Sequence, residues 1–126
     1  NGFRSQHDIR LLANGNLLLF DNGDGNPNSI PFSSAKEYQI DRTNKTVRLV
    51  WQYKHPNEIF ALAMGSVQRL PNGNTIMNWG GRKPLGNMVP PSVVTEVTPS
   101  GKIAFEFEMD STQLYSCYRL PWQIQE

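Results

Sequence analysis

Ile9-Arg10-Leu11-Leu12-Ala13-Asn14-Gly15-Asn16-Leu17-Leu18-Leu19 returns in altered spelling as Val67-Gln68-Arg69-Leu70-Pro71-Asn72-Gly73-Asn74-Thr75-Ile76-Met77. The two Asn-Gly pairs stand 58 residues apart. Asn-Gly between strand-like runs predicts a hairpin, and a type I′ turn in particular, because that turn needs positive φ at both central positions. The echo continues downstream, where Glu37-Tyr38-Gln39-Ile40-Asp41 is answered by Thr95-Glu96-Val97-Thr98. The turns Arg42-Thr43-Asn44-Lys45 and Pro99-Ser100-Gly101-Lys102 follow, and after them come Val47 to Tyr53 and Ile103 to Glu108. β-Branched and aromatic residues are frequent in both of these last runs. Each unit therefore reads as four antiparallel strands in up-down order, over about residues 5–54 and 61–110. Four short strands repeating every ~40–60 residues are the sequence pattern of a β-propeller blade. The expected fold is all-β: two four-stranded blades, plus a terminal closing strand over about residues 113–120 that completes a blade at the other end of a ring. Two blades cannot close a ring. The remaining blades are expected upstream in a longer chain or, as a less favoured arrangement, in further copies of this one.

The composition narrows the function classes. The chain has 126 residues and a formal net charge of +1, from 12 Lys+Arg against 11 Asp+Glu. Neither sign dominates, which leaves no electrostatic footprint for nucleic acid or an anionic membrane. With 18% charged and 38% hydrophobic residues, the chain is neither a coiled coil nor a long disordered tail. No apolar run approaches the ~20 residues of a bilayer-spanning helix. Ten glycines and nine prolines favour tight turns, and no stretch shows a convincing helical period; Pro56 to Met64 reads as a loop entering a strand. The opening Asn1-Gly2-Phe3-Arg4 carries no leader pattern and reads as the start of a piece of a longer protein. Cys117 is the single cysteine, which excludes an intrachain disulfide or a thiolate zinc cluster, and it reads as a small buried strand residue. Asn44-Lys45-Thr46 fits the glycosylation acceptor pattern and suggests a surface turn.

Few residues can carry chemistry. His7, in Ser5-Gln6-His7-Asp8-Ile9-Arg10, begins the first inner strand, and inner strands of propeller blades line the central channel. Strand alternation puts His7, Ile9 and Leu11 on one face and Asp8, Arg10 and Leu12 on the other. An imidazole with its ordinary pKa near ~6.5 is largely neutral at pH 7 and can act as a nucleophile. His55, ahead of Pro56 in a polar loop, reads as a surface histidine. Asp24, Asn26 and Asn28 alternate in an oxygen-rich run, but Ser29 and Ala35 stand where an EF-hand loop needs Gly and Glu. That run is expected to be a turn rather than a metal site. Phosphate loops, His-Glu-x-x-His and Gly-x-Ser-x-Gly do not occur, and no metal or cofactor is expected.

Gln6-His7-Asp8, then Leu-x-Asn-Gly-Asn, then Leu19-Phe20-Asp21-Asn22-Gly23-Asp24-Gly25 resembles the C-terminal part of the arylsulfate sulfotransferases. Glu37-Tyr38-Gln39-Ile40-Asp41, Val50-Trp51-Gln52-Tyr53, Gly65-Ser66-Val67-Gln68-Arg69-Leu70 and Tyr118-Arg119 follow in that family's order, so the resemblance spans essentially the whole chain. It implies a six-bladed propeller. It also implies sulfuryl transfer from an aryl sulfate to a phenol through a sulfated histidine, with ping-pong kinetics and no nucleotide donor. His7 matches the nucleophile. Gly65-Ser66 stand where family members have a threonine contributing to the site, so Gly65 and Ser66 are candidates for substrate binding through backbone amides. Arg119, matching the family's Tyr-Arg, either reaches substrate or pairs structurally. Asp8 follows the histidine where a hydroxyl residue is usual; alternation turns it away, so it is not the expected orienting partner of His7. The family's other cations come from earlier blades, which are the implied partners of this piece, and its members are exported, so the expected compartment is periplasmic or extracellular. The competing expectation is a non-enzymatic propeller of the same ancestry, used for binding or assembly.

Overall fold

The computed structural model describes residues 2–82, 88–110 and 112–121. Ten strands run in order: β1 (His7–Leu11), β2 (Leu17–Asp21), β3 (Ser34–Asp41), β4 (Thr46–Tyr53), β5 (Ala61–Ala63), β6 (Ser66–Arg69), β7 (Thr75–Asn78), β8 (Gly81–Arg82), β9 (Ser92–Val97) and β10 (Ile103–Met109). There is no helix among the described residues. β1-β2-β3-β4 form one antiparallel up-down sheet and β6-β7-β9-β10 a second, while β5 and β8 make a two-stranded ribbon. The repeat in the sequence is thus a repeat of two four-stranded sheets.

Both Asn-Gly hairpins form, but with a different turn from the expected type I′. The amide of Gly15 donates to the carbonyl of Leu12 at 2.9 Å, and the amide of Leu12 to the carbonyl of Asn16 at 2.8 Å. Leu70, Gly73 and Asn74 repeat the pattern, as do Thr98, Gly101 and Lys102. Only the glycine takes positive φ, 82°, 86° and 82° at Gly15, Gly73 and Gly101. This is the three-residue loop in which a type I turn ends on a left-handed residue. Asn14, within the type I turn, stays outside the left-handed region, and its side-chain oxygen accepts the amide of Asn16 at 3.0 Å. Asn72 does the same for Asn74 at 3.1 Å.

The two sheets pack against each other. Leu18, Phe20, Ala35 and Tyr53 of the first meet Val67, Met77, Trp79, Val93 and Val97 of the second in one core, with Ile59 and Ala61 of the connecting segment. Trp79 is fully buried at its centre, edge-on to Phe20 and His55. Alternation along β7 and β9 turns Ile76 and Val94 to the opposite face, where Leu114 and Cys117 cover them. The outer face of the first sheet is closed by the opening residues. Lys36 and Asp21, both buried, form an ion pair there. Lys36 also donates to the carbonyl of Gly2, and Asp21 accepts the amides of Arg4 and Gly23. These extra donors satisfy lone pairs that a buried carboxylate would otherwise leave open at substantial cost.

The segment expected as a terminal strand finds no ladder partner among the described residues of this chain. Among residues 112–121 no residue joins a ladder. The segment lies beside β6 and is held by side chains, since Ser66 Oγ accepts from the amide of Cys117 and donates to its carbonyl, and the Gln68 amide does the same for Arg119. The backbone groups of Cys117 and Arg119 are thereby satisfied from the side of β6. Cys117 is accordingly half-buried in an irregular segment instead of a strand, and burial pushes its thiol pKa up, which disfavours the thiolate.

The boundaries repeat as well as the sheets. Glu37 of the first sheet accepts from Asn16 and from Arg69 of the second at 2.6 and 2.7 Å. Glu96 of the second accepts from Asn74 and from Arg119 at 2.7 and 3.1 Å. Arg69-Leu70-Pro71 and Arg119-Leu120-Pro121 share their spelling, so Arg119 stands to the second sheet as Arg69 stands to the first.

His55 is a further correction, because it is buried rather than on the surface. Its Nδ1 accepts the amide of Asn57 at 3.1 Å, which leaves Nε2 to donate to Glu106 at 2.8 Å. Trp79 Nε1 donates to Thr95 Oγ1, and that hydroxyl donates to the same Glu106 oxygen. Partial burial alone would raise the Glu106 pKa, but Thr95 and His55 together hold it below its ordinary value. A carboxyl whose pKa is lower folded than unfolded stabilises the fold above the unfolded value of about 4.3, and that contribution fades as pH falls through the folded value. The stability advantage of the wild type over Glu106→Gln in urea unfolding should therefore be largest near pH 7 and shrink below about pH 4.3. An advantage unchanged down to pH 3 would contradict the assignment.

Candidate active site

Gln6-His7 leads into β1, where a register shift between His7 and Arg10 breaks simple alternation. Asp8 sits at φ 50°, a left-handed conformation that costs a non-glycine residue about 1–3 kcal/mol. Ser5 and Met64 share that region at φ 53° and 63°. Three of the five positive-φ residues other than glycine among the described residues thus surround one histidine or the loop bonded to its partner.

His7 is half-buried and held through one ring nitrogen. Its Nδ1 lies 2.7 Å from Asn22 Oδ1 and 3.1 Å from the carbonyl of Ser5. Asn22, fully buried, donates from Nδ2 to the carbonyls of Ala61 and Met64 at 3.0 and 2.9 Å. Its carbonyl accepts from Ser33 Oγ, which in turn accepts the amide of Ala61. The segment joining the two sheets is therefore clamped by the residue that meets His7.

The Phe20-Asp21-Asn22-Gly23 run can be accounted for residue by residue. Phe20 fills the core, Asp21 pairs with Lys36, and Asn22 binds His7 and the connecting segment. Gly23, at φ 74°, passes so close to the Ile30 carbonyl that a Cβ would lie 2.4 Å from its oxygen. Beyond it, Asp24 Oδ1 accepts the amides of Asn26 and Ile30, and Asn26 Oδ1 that of Asn28. The bond from Asn26, the leading one, together with those from Ser29 and Ile30, holds the Asp24 carboxyl below its ordinary pKa. These oxygens make a turn.

Asp8 does not contact His7 through any hydrogen bond. Its Oδ2 accepts the amide of Val67 in the second sheet at 2.8 Å, and its Oδ1 pairs with Arg10 at 2.9 Å. Arg10 stacks on the Tyr118 ring at 4.4 Å. Gly65 and Ser66 lie at the start of β6, both buried. The amide of Gly65 donates to the carbonyl of Tyr115 at 3.1 Å, and the Ser66 hydroxyl is engaged with Cys117. Arg119 is largely exposed and pairs with Glu96. The structure thus gathers His7, Asp8, Gly65 and Ser66 at one seam between the sheets, with the 114–119 segment laid across it. Sequence reasoning missed Asn22 as the partner of His7; the only signal was a polar residue directly after a run of five strand residues.

Gly65 has φ 101°, and a Cβ there would meet the Phe20 ring at 2.4 Å. Gly65→Ala should destabilise the protein by about 2–5 kcal/mol, strain and overpacking together. Gly15→Ala, equally left-handed but in open space, should cost only about 1 kcal/mol. Denaturant midpoints compare the two; equal losses would show that the Phe20 contact is not tight.

Comparison with known proteins points in one direction. The family model described as arylsulfotransferase (ASST) matches residues 2–119. A similar protein is the arylsulfate sulfotransferase AssT of Escherichia coli O6:H1 (strain CFT073), 29% identical over 97 residues, which cover 71% of this chain and 16% of that protein. AssT of Lelliottia amnigena is 43% identical over 56 residues, covering 39% of this chain and 9% of that protein. The chain therefore spans less than a fifth of the curated relatives it matches.

Proposed function

The chain belongs to the arylsulfotransferase family, and from that premise we propose that it carries the nucleophile of a sulfuryl transfer from an aryl sulfate to a phenol, namely His7. The observation that carries the reading is the setting of His7: a half-exposed imidazole, anchored through one nitrogen and surrounded by strained backbone, at the seam of two sheets. Strain of this kind persists where the surrounding structure over-determines it, which is common at functional sites.

In the first half-reaction an imidazole lone pair attacks the sulfur, and the bond from sulfur to the aryl oxygen breaks. Its electron pair leaves with the phenolate, which then takes a proton from the medium. In the second, an acceptor phenol loses its proton to a base and its oxygen attacks the same sulfur; the nitrogen–sulfur bond breaks and its pair returns to the ring. Splitting one hard transfer into two through a nucleophilic side chain is the general advantage of covalent catalysis. No nucleotide or metal takes part.

The sulfuryl oxygens need preorganised positive charge, often the largest single catalytic term. Arg10, Arg69 and Arg119 are each engaged by a carboxylate, Asp8, Glu37 and Glu96 respectively. The clamp is therefore assigned to partner blades of a propeller, six in all, of which this chain supplies two. The repeated Glu–Arg contact supports that arrangement, because it makes the 114–121 segment the opening of a next unit. Gly65 and Ser66 fix that segment at the seam beside His7, while the Arg119 side chain, held by Glu96 as Arg69 is by Glu37, serves the joint to the next unit. The compartment proposed is periplasmic or extracellular, in keeping with the exported proteins the sequence resembles.

The full-length protein, exposed to excess aryl sulfate without acceptor, should gain the mass of one SO3 group, labile to acid and discharged by added phenol. His7→Ala should abolish the adduct. Persistence of the adduct in that variant would remove His7 from the reaction.

A further inference from the structure

We infer that Asn22 is a positioning residue which fixes the tautomer of His7 and so selects Nε2 as the attacking nitrogen; this rests on the nucleophilic role proposed for His7. A side-chain amide has one oxygen, which accepts, and one nitrogen, which donates two hydrogens. Asn22 Nδ2 faces two carbonyl oxygens, those of Ala61 and Met64, at 3.0 and 2.9 Å. Turning the amide over would aim its oxygen at both carbonyls inside a fully buried pocket, leaving three acceptors without a donor at about 1–3 kcal/mol each. The orientation is thereby forced, and Oδ1 must be the atom that meets His7.

The consequence passes to the ring. Nδ1 lies 2.7 Å from Asn22 Oδ1 and 3.1 Å from the Ser5 carbonyl, two acceptors with no hydrogen to offer. Nδ1 must carry the proton. In the neutral ring Nε2 then holds the lone pair. Free imidazole exchanges between its two tautomers, and the orienting partner of one nitrogen decides which is present at the other. Once Nε2 has bonded to sulfur the ring becomes cationic, and the same two oxygens face its remaining N–H. Asn22 thus holds the nucleophile before attack and accepts a strengthened, charge-assisted hydrogen bond after it. No titratable group is required for this, which distinguishes the arrangement from a carboxylate-oriented histidine.

The tautomer can be read without altering the protein. In the full-length protein with ¹⁵N-labelled histidine, above the pH at which the ring is neutral, His7 should show a protonated Nδ1 and an unprotonated Nε2. An Nε2–H tautomer, or the averaged signal of a freely exchanging ring, would overturn the inference. Asn22→Asp, if folded, replaces the amide with a carboxylate that accepts but cannot donate to Ala61 and Met64. In that variant the acid limb of the rate of histidine sulfation should move to higher pH, because a negative charge beside Nδ1 favours the imidazolium. Asn22→Ala, if folded, should lose about 10- to 100-fold in the sulfation rate, as expected when a reacting group loses its fixed orientation, and its His7 signal should become averaged. A folded Asn22→Ala with wild-type rate and the same single tautomer would also overturn it. Failure of His7 to become sulfated in the wild type would sink the proposed reaction instead, while leaving the tautomer measurement intact.

Discussion

The Asn22 side chain is fully buried, its nitrogen committed to two backbone carbonyls and its oxygen to His7. Its nitrogen closes the path of the chain between the two sheets, and its oxygen closes the back of His7. A buried amide left half-satisfied costs enough to undo a local packing arrangement. The geometry at His7 is therefore tied to the docking of one sheet on the other. Phe20 beside it has the same double role, since its ring fills the shared core and also presses on Gly65 at the seam.

The joints between units use a small set of polar contacts twice. Glu37 with Asn16 and Arg69, and Glu96 with Asn74 and Arg119, are one motif at two boundaries. Asp8 receiving the amide of Val67 is matched by Ser66 receiving that of Cys117. A short polar side chain on the first strand of one unit thus caps an amide of the next. Such contacts are specific in register and modest in energy, about 0.5–1.5 kcal/mol net for an ordinary hydrogen bond. The greater part of the cohesion comes from burial around Trp79.

Much of this was legible in the sequence because it depends on local chemistry. The spacing of the Asn-Gly pairs announced two sheets of like connection, and the echo of Glu37 to Asp41 in Thr95 to Thr98 announced their matching third strands. The turn type was not legible, because Asn14 and Asn72 turn their oxygens back on the chain instead of taking positive φ. The terminal segment had strand-like residues, but its docking on Ser66 and Gln68, 51 residues earlier, is by side chains that no local pattern announces. His55 looked exposed because its partners, Glu106 and Trp79, lie in distant strands. Within the site, His7 stood out through its motif and its place at a strand start, whereas Asn22, 15 residues away, became its partner through a register shift and a strained Asp8 that no periodicity encodes.

The most direct test is an experimental structure of the full-length protein with an aryl sulfate, or an inert analogue of one, in the site. His7 Nε2 should lie about 3–3.5 Å from the sulfur and in line with the bond to the aryl oxygen, with Nδ1 still resting on Asn22 Oδ1. A sulfur nearest to some other side chain, with the His7 ring turned away from it, would contradict the account.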